Sequence, residues 1–387
     1  MTISETPPCR VGVAGTGFTA RHLLRVLVSS RDLAIARVLT RRPLNNIKGV
    51  DLEDCLTHSI NELVDNSDLI VECSGDPVHA FDVVEAAMGA GLPVVTLNPA
   101  FHITAGAYFS DRGWLSEAEG DQPGALAALH ENALSMGFRP WVLGNIKGYL
   151  DHSPTPSNVR YWARRQGQRP GLVLEATDGT KLQIEQTLVA NGLGADIACK
   201  GLIGPEDQDL ERAGFLLADK ARQAGRCLSD YVINPTAPKG VFTIVEHDIE
   251  FAPMLAYFGL GEGERHMLLQ NFFLGALEVP KTIRRWQQGK PPLLNNGTRP
   301  GISVAAIAKR AIETGRRIKR SIGSFSLRGE AVKISDFPDH VPIGLLDGAT
   351  IVRPVEKDQI LSWDDVIPRE SPALHAWNEI MDRRRPQ

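Results

Sequence analysis

The sequence has little cysteine, and none of it is arranged for chemistry. Cys9, Cys55, Cys73, Cys199 and Cys227 lie far apart with no Cys-x-x-Cys pair. That excludes a zinc knuckle, a dithiol redox motif and a disulfide scaffold, and it fits a reducing compartment. No stretch approaches the roughly 20 apolar residues of a membrane span, and residues 1–10 lack a basic segment followed by an apolar one. A soluble, unexported, cytoplasmic protein is expected. Positive charge is not in excess either, because the formal net charge is -4. The basic run at 309–320 and the Arg383-Arg384-Arg385 tail lack interleaved aromatics. Solvated helix faces explain them better than nucleic acid. Internal repeats and low-complexity tracts are missing too, which excludes a solenoid or a disordered linker protein.

What is present is an ordinary enzyme-like chain. Its 387 residues allow two or three compact units, and 43% hydrophobic with 23% charged residues is enough for a sizeable core. From residue 11 to about 99 short apolar runs alternate with helical periods: VGVAG, LAIARVL, DLIVEC and LPVVTL, with helices at 22–28 and 83–90. This pattern predicts a doubly wound parallel sheet, an α/β Rossmann unit. Poor periodicity at 100–123 predicts a connection leaving the sheet, so a dinucleotide-binding domain is placed at 1–123. Residues 124–323 read as an α+β substrate and oligomerisation domain, with helices at 125–136, 210–224 and 302–320. Its strands are expected at WVLG, GLVLEAT and, after an Asp178-Gly179 turn, TKLQIEQ. Residues 324–387 read as a small β-rich module with a tail, broken by Pro338, Pro342, Gly344 and Gly348.

Gly15-Thr16-Gly17-Phe18-Thr19-Ala20 follows a strand and opens a helix, the context that gives a Gly-x-Gly-x-x-Gly/Ala string meaning. Gly15 permits the tight turn, Gly17 lets backbone approach a pyrophosphate, and Ala20 keeps the helix near the strand. At the end of the second strand, where an NAD enzyme carries an acid for the ribose hydroxyls, this chain has Thr40-Arg41-Arg42. Two guanidiniums can fork onto a 2′-phosphate, so the expected cofactor is NADP; the alternative is two surface charges. Ser74 and Gly75 fall after the third strand run, on the nicotinamide side by position alone.

Hydride transfer at a carbinol or carbonyl carbon needs a proton carrier and a donor or positive group at the oxygen. Lys147, flanked by Gly144-Asn145-Ile146 and Gly148 after an apolar strand, is the first candidate. Asp121, Lys181, Glu185 and Asn191 complete the candidate set. The alternation of KLQIEQ favours a strand with Lys181, Gln183 and Glu185 on one face, which points either into a cleft or to solvent. No metal site is assigned: at 246–250, Glu-His-Asp-Ile-Glu has ligating types, but alternation puts His247 on the face opposite the carboxylates.

With these residues together, the chain resembles a homoserine-dehydrogenase-like family with a C-terminal SAF module, which includes 1-deoxy-D-xylulose 5-phosphate reductoisomerase-like enzymes and D-apionate oxidoisomerase. The motifs are GDQPG at 120–124, GFRPWVLGNIKG at 137–148, DGTKLQIEQTLVANGLG at 178–194, the stretches LGEGE and EVP, and, for the SAF module, VPIGLLDGATIVRPVEKDQILSWDDV at 341–366. The resemblance implies an NADP oxidoreductase, with or without isomerisation, acting on a small polyhydroxylated or keto-polyol substrate, and a homo-oligomer such as a dimer or tetramer. Lys147, Lys181, Glu185 and Asn191 stand at matching positions. The chain departs from the family pattern at Arg265-His266 and at Phe272-Phe273-Leu274, the phenylalanines reading as ordinary core residues. A homoserine-type semialdehyde dehydrogenase and a sensor of the NADP pool are the alternatives.

Overall fold

Parallel strands buried on both faces must be apolar nearly throughout, and the first strands of the chain are. In the computed structural model, which describes residues 7–43 and 53–384, they form a six-stranded parallel sheet of order β3-β2-β1-β4-β5-β6. The strands are β1 Cys9–Ala14, β2 Leu33–Leu39, β3 Leu56–Thr57, β4 Leu69–Glu72, β5 Val94–Thr96 and β6 Leu115–Glu117. Side chains of β4 alternate between two cores: Ile70 joins Val83, Val84 and Ala87 of the Pro77–Gly89 helix, and Leu69 and Val71 join Leu23, Leu24 and Leu27 of the Phe18–Val28 helix. Helices on both faces and a strand order that reverses between β1 and β4 define a doubly wound sheet with its crevice at that switch point. β6 belongs to this sheet, so the segment at 100–123 does not simply leave it, as its poor periodicity suggested. Residues 99–109 first make short helical turns, and the chain then returns as the sixth strand.

The second sheet has order β10-β9-β7-β8, from β7 Arg139–Lys147, β8 Leu228–Ile233, β9 Val241–Glu246 and β10 Arg265–Gln270. Along β7 the side chains divide by period two. Val142 and Ile146 meet Leu217 and Ala221 of the Leu210–Ala224 helix. Leu143 meets Ala125 and Val189, from the Gln122–Ser135 and Thr180–Leu193 helices on the other face. The same alternation puts Asn145 and Lys147 on the Leu143 side. The third layer begins earlier than residue 324: β11 Ile302–Ala308 pairs antiparallel with β12 Leu327–Lys333, and isolated bridges link 305–317 to 342–360. β13 Thr350–Ile351 and β14 Val366–Ile367 close it.

Three elements differ from the sequence expectation. TKLQIEQ is helical, the first half of Thr180–Leu193. Its polar residues Gln183, Glu185, Gln186 and Thr187 are as buried as Leu182 and Leu188, so the apolar stripe that betrays a surface helix is missing. GLVLEAT lies in the Pro170–Thr177 helix, opened by a proline in its first turn. Residues 302–320 are not a helix: ISVAAIA is a strand buried at every position, and a continuous apolar run does not by itself separate a buried strand from a buried helix. Lys309 therefore lies on no solvated helix face; it is buried, and its Nζ donates to Asp178 and to the Ser324 carbonyl. Phe272 is exposed rather than core, while Phe273 packs beside Leu126 and Val189. Among the described residues, no helix is long and apolar enough to cross a membrane.

The last helix, Pro372–Arg384, returns to the first domain. Ala373, Leu374, Ala376 and Trp377 share a core with Val83 and Ala87, so the tail ties the end of the chain to the dinucleotide fold. Deleting a buried tryptophan side chain costs about 3–5 kcal/mol in transfer and cavity terms. Trp377→Ala is expected to lower the unfolding free energy measured by urea denaturation by about that amount, moving the midpoint down; an unchanged midpoint would show that the helix does not stabilise the first domain.

Candidate active site

At the switch point the glycine loop is shaped by close approach. Gly15 has φ +126°, and a methyl there would sit 3.0 Å from the Cys73 carbonyl oxygen and 3.3 Å from the Ser74 Cα, so the loop after β1 and the loop after β4 touch. A methyl on Gly17 would meet nothing within 4 Å. Gly15 is thus required by the neighbouring backbone, whereas Gly17 leaves the helix N-terminus open. Phe18 is exposed and Thr19 half-buried at the first turn of that helix. Thr16 Oγ1 lies 3.0 Å from Thr40 Oγ1, both residues being buried. Arg42 Nη1 donates to the Thr16 carbonyl at 3.1 Å, and the Arg42 amide donates to Thr40 Oγ1. The residues read from the fingerprint and from the end of the second strand therefore form one surface. Arg41 turns aside to pair with Asp76 at 2.8 Å, the residue that caps the Pro77–Gly89 helix. Ser74 donates its amide to Glu72 Oε1 at 2.8 Å, and Gly75 sits at φ +69° beside it.

Four of the five candidate catalytic residues come together. Asp121 caps the Gln122–Ser135 helix, Lys181 and Glu185 are one turn apart on the Thr180–Leu193 helix, and Lys147 ends β7. Lys181 Nζ lies 3.1 Å from Asp121 Oδ2 and 3.2 Å from Glu185 Oε1. Glu185, fully buried, also accepts from Asn145 Nδ2 at 3.3 Å and from Gln122 Nε2 at 3.0 Å. Burial works against the Lys181 charge, but Asp121 and Glu185 outweigh it and raise its pKa. Lys147 is pushed the other way: burial lowers its pKa, and the neighbouring Lys181 and Lys239 charges add to this against Glu185 and Asp121. The two lysines are therefore driven apart in basicity, the arrangement that separates a fixed charge from a proton carrier. Asn191 does not join them. Its amide donates to Asn296 Oδ1 and the Ile302 carbonyl, and its Oδ1 accepts from Gly301 and Ile302. This side chain pins the loop into β11.

Two features escaped the sequence reading. Glu175, hidden in the segment read as a strand, is held at about 7 by burial, against which Lys181 and Arg320 pull. The second is a buried network at the carboxyl ends of β4–β6. Thr96 Oγ1 donates to Glu117 Oε2 at 2.6 Å and sits 2.7 Å from His102 Nε2, while Asn98 Nδ2 donates to Glu72 Oε2. Burial raises the pKa of both acids, Glu117 well above the usual range, and lowers His102 to about 3. The Asp121 charge adds to the rise at Glu117, which couples this network to the lysine cluster. No spacing rule links residues 72, 96, 98, 102 and 117; only the parallel sheet does. The segment at 246–250 is occupied structurally, with Glu246 paired to Arg222, the His247 ring against the Met136 carbonyl, and Asp248 capping a short turn.

Residues 120–279, which contain the lysine cluster, match the family described as Oxidoreductase DRL, catalytic domain. Placed behind a doubly wound sheet with this glycine loop, the match makes the protein an oxidoreductase by class. No curated protein matches the sequence. Among solved structures the chain is similar to a probable dehydrogenase from Thermotoga maritima, at 16% identity over 74% of this chain and 91% of that one with a TM-score of 0.41. It is also similar to a UDP-N-acetylglucosamine 3-dehydrogenase from Acidithiobacillus ferrooxidans, at 14% identity, 75% and 93% coverage and a TM-score of 0.45. A third is a biliverdin reductase from Synechocystis crystallised with biliverdin and NADP+, at 14% identity, 74% and 93% coverage and a TM-score of 0.38.

The electrostatics of Glu175 can be checked without a substrate. Carboxyl-selective NMR is expected to show one acid titrating at about 7 that disappears in Glu175→Gln. In Lys181→Met the same titration moves upward, because the cation that favours the ionised form is gone; a downward or absent shift would contradict the arrangement.

Proposed function

We propose that the protein is an NADP-dependent reductase or oxidoisomerase acting on a small polyhydroxylated or keto-polyol substrate, a sugar acid or sugar phosphate by class. The observation that carries this is the convergence of Lys147, Lys181, Glu185 and Asp121 from three separate elements within the segment that matches an oxidoreductase catalytic domain. The glycine loop fits a dinucleotide, with Gly17 open and Arg42 held against the loop by the Thr16 carbonyl. When bound, NADP supplies or accepts the hydride. The chain's residues do the rest. Lys181, kept charged between two carboxylates, holds the reacting oxygen and stabilises negative charge developing there. Lys147, with its depressed pKa, delivers the proton to that oxygen in reduction and removes it in oxidation. Glu185, Gln122 and Asn145 present donors and acceptors to neighbouring hydroxyls. Asn145 Oδ1, buried and without a partner among the described residues, is an acceptor that a polyol would satisfy and an apolar substrate would not. The resemblance to homoserine-dehydrogenase-like enzymes with an SAF module supports the same reading, and its GNIKG and DGTK stretches favour the polyol branch over semialdehydes. A cytoplasmic homo-oligomer, dimer or tetramer, goes with it; the unpaired edge of β10, with the exposed Leu269 on it and Phe272 and Leu274 just beyond, supports the oligomer.

Absorbance at the nicotinamide band, followed across sugar acids, ketoses, their phosphates and homoserine, tests this. Turnover with NADPH on a polyol or keto-polyol is the expected result, and NADPH binding with no turnover on any of them would leave a sensor instead. Lys147→Ala should lower turnover by about 10²–10⁴-fold, the usual contribution of a positioned acid or base, with NADPH affinity kept. Unchanged turnover removes Lys147 from the mechanism.

A further inference from the structure

Phe272-Phe273-Leu274 and Glu278-Val279-Pro280 lie on one segment, which leaves β10 and enters the Val279–Gln287 helix. Backbone contacts fix its course at both ends. At the start, a methyl on Gly240 would lie 2.9 Å from the Asn271 Cα, and the Gly240 carbonyl accepts the Ile146 amide at 3.1 Å. The segment therefore sets out two strand spacings, about 10 Å, from the residue before Lys147. At the end, the Gly275 amide donates to the Gly120 carbonyl at 2.8 Å, next to Asp121, and Ala276 enters the core with Leu23 and Leu24 of the glycine-loop helix. Between these points Phe273 packs against Ala125, Leu126, Leu143, Val189 and Val241. Leu126 and Val189 stand one helical turn beyond Gln122 and Glu185, on the same helix faces. Val241 is paired in register with Asn145. Those five side chains are buried, whereas Phe273 is only part-covered, so an aromatic surface is left at the edge of the polar cluster. The strap is also pinned from behind. Buried Glu278 accepts the Leu274 amide at 2.7 Å on Oε2 and Lys281 Nζ at 2.8 Å on Oε1, and Lys281 reaches on to Glu119 at 3.1 Å.

We propose that residues 271–275 form the substrate-side wall of the active site, and that Phe273 selects a ring-form sugar over an open-chain polyol. This rests on the polyol reading above. Asn145, Gln122, Glu185 and Lys181 make one polar row, suited to hydroxyls. The aromatic surface beside that row suits carbon. In a ring-form sugar the hydroxyls project from the rim and C–H bonds gather on a face, which is apolar and weakly positive. The face of a phenyl ring is apolar with a negative quadrupole, so the two surfaces attract. An open chain turns about each C–C bond, holds no such face, and loses more freedom when bound. An apolar wall with a few placed polar groups is also the usual make-up of a small-molecule pocket.

The test uses the full-length protein and Phe273→Leu, which keeps apolar volume against the cluster and removes the aromatic face. Turnover is followed at the nicotinamide band, each compound being tried with and without a phosphate. With NADP+ the compounds are ring-form aldoses and the open-chain alditols and aldonates of the same carbon number. With NADPH they are ring-form ketoses and hydroxyketones too short to close a ring. The wild-type protein is expected to favour the ring forms. Phe273→Leu is expected to raise KM for them by about threefold to tenfold, the scale of one aromatic contact, with kcat, NADPH affinity and the open-chain KM kept. Retained NADPH affinity shows that the variant is folded, and Phe273→Met serves the same comparison if the leucine variant loses it. No turnover of any compound by the wild-type protein overturns the polyol reading and this wall with it. Wild-type turnover that favours open chains overturns the ring selection alone. A wild-type preference for ring forms, with KM in the variant unchanged or raised alike for both classes, makes Phe273 a packing residue and likewise overturns the proposal.

Discussion

Lys181 cannot be moved without disturbing both halves of the molecule. Its ammonium bridges Asp121, which caps the helix leaving the first sheet, and Glu185, which is buried against the second. A fully buried carboxylate such as Glu185 is costly unless a charge and several hydrogen bonds answer it. Lys181, Asn145 and Gln122 supply them from three elements. The Lys181 side chain is still about one-third exposed, at 34%, so solvent reaches the charge the cluster presents. The same cation therefore satisfies the interior and faces the crevice. Replacing this network with apolar packing gives folds of equal stability in other proteins, which makes its presence beside a partly exposed lysine an argument for chemistry rather than for stability.

A contrast within the chain supports that distinction. Lys309 and Asp178 also form a buried ion pair, but both side chains are almost wholly withdrawn, at 4% and 0%. Lys309 spends a further donor on the Ser324 carbonyl, and Asp178 accepts from the Thr180 amide. Every charge there is consumed by the structure, in the junction between the Thr180–Leu193 helix and the third layer. The junction is reinforced by the Gly329 amide on Thr180 Oγ1 and the Ala331 amide on Gln183 Oε1. The helix that carries Lys181 and Glu185 is thus fixed along one side by polar contacts that have no access to the crevice.

The first sheet was legible because parallel strands and a glycine loop follow local rules. VGVAG, LAIARVL and DLIVEC each became a strand, and the context of Gly15 and Gly17 identified the crevice. The second domain was less legible for one physical reason. The Thr180–Leu193 helix buries polar and apolar residues alike, so no period marks it and local alternation suggested a strand. Lys181 and Glu185 still shared a face, because residues four apart align on a helix as two-apart residues do on a strand. Gln183, which a strand would have put beside them, instead reaches the Gly201 carbonyl and the Ala331 amide. Asn191 stands apart from the cluster on the same geometry: six positions beyond Glu185, it bonds the loop into β11. Glu72, Glu117 and His102 were unreadable, since only the order of strands in space brings them together.

The charges on the two sides of the crevice have opposite fates, and this bears on how the site works. Near β4–β6 burial disfavours charge: it pushes the Glu117 carboxyl well above its usual range and lowers His102 to about 3, and Thr96 and Asn98 close the hydrogen bonds. Across the lysine cluster, charge is retained and balanced. Preorganisation of this kind moves the electrostatic cost into folding, so it is not met again at each binding event. The spread in pKa between Lys147 and Lys181 is then available to the substrate alone.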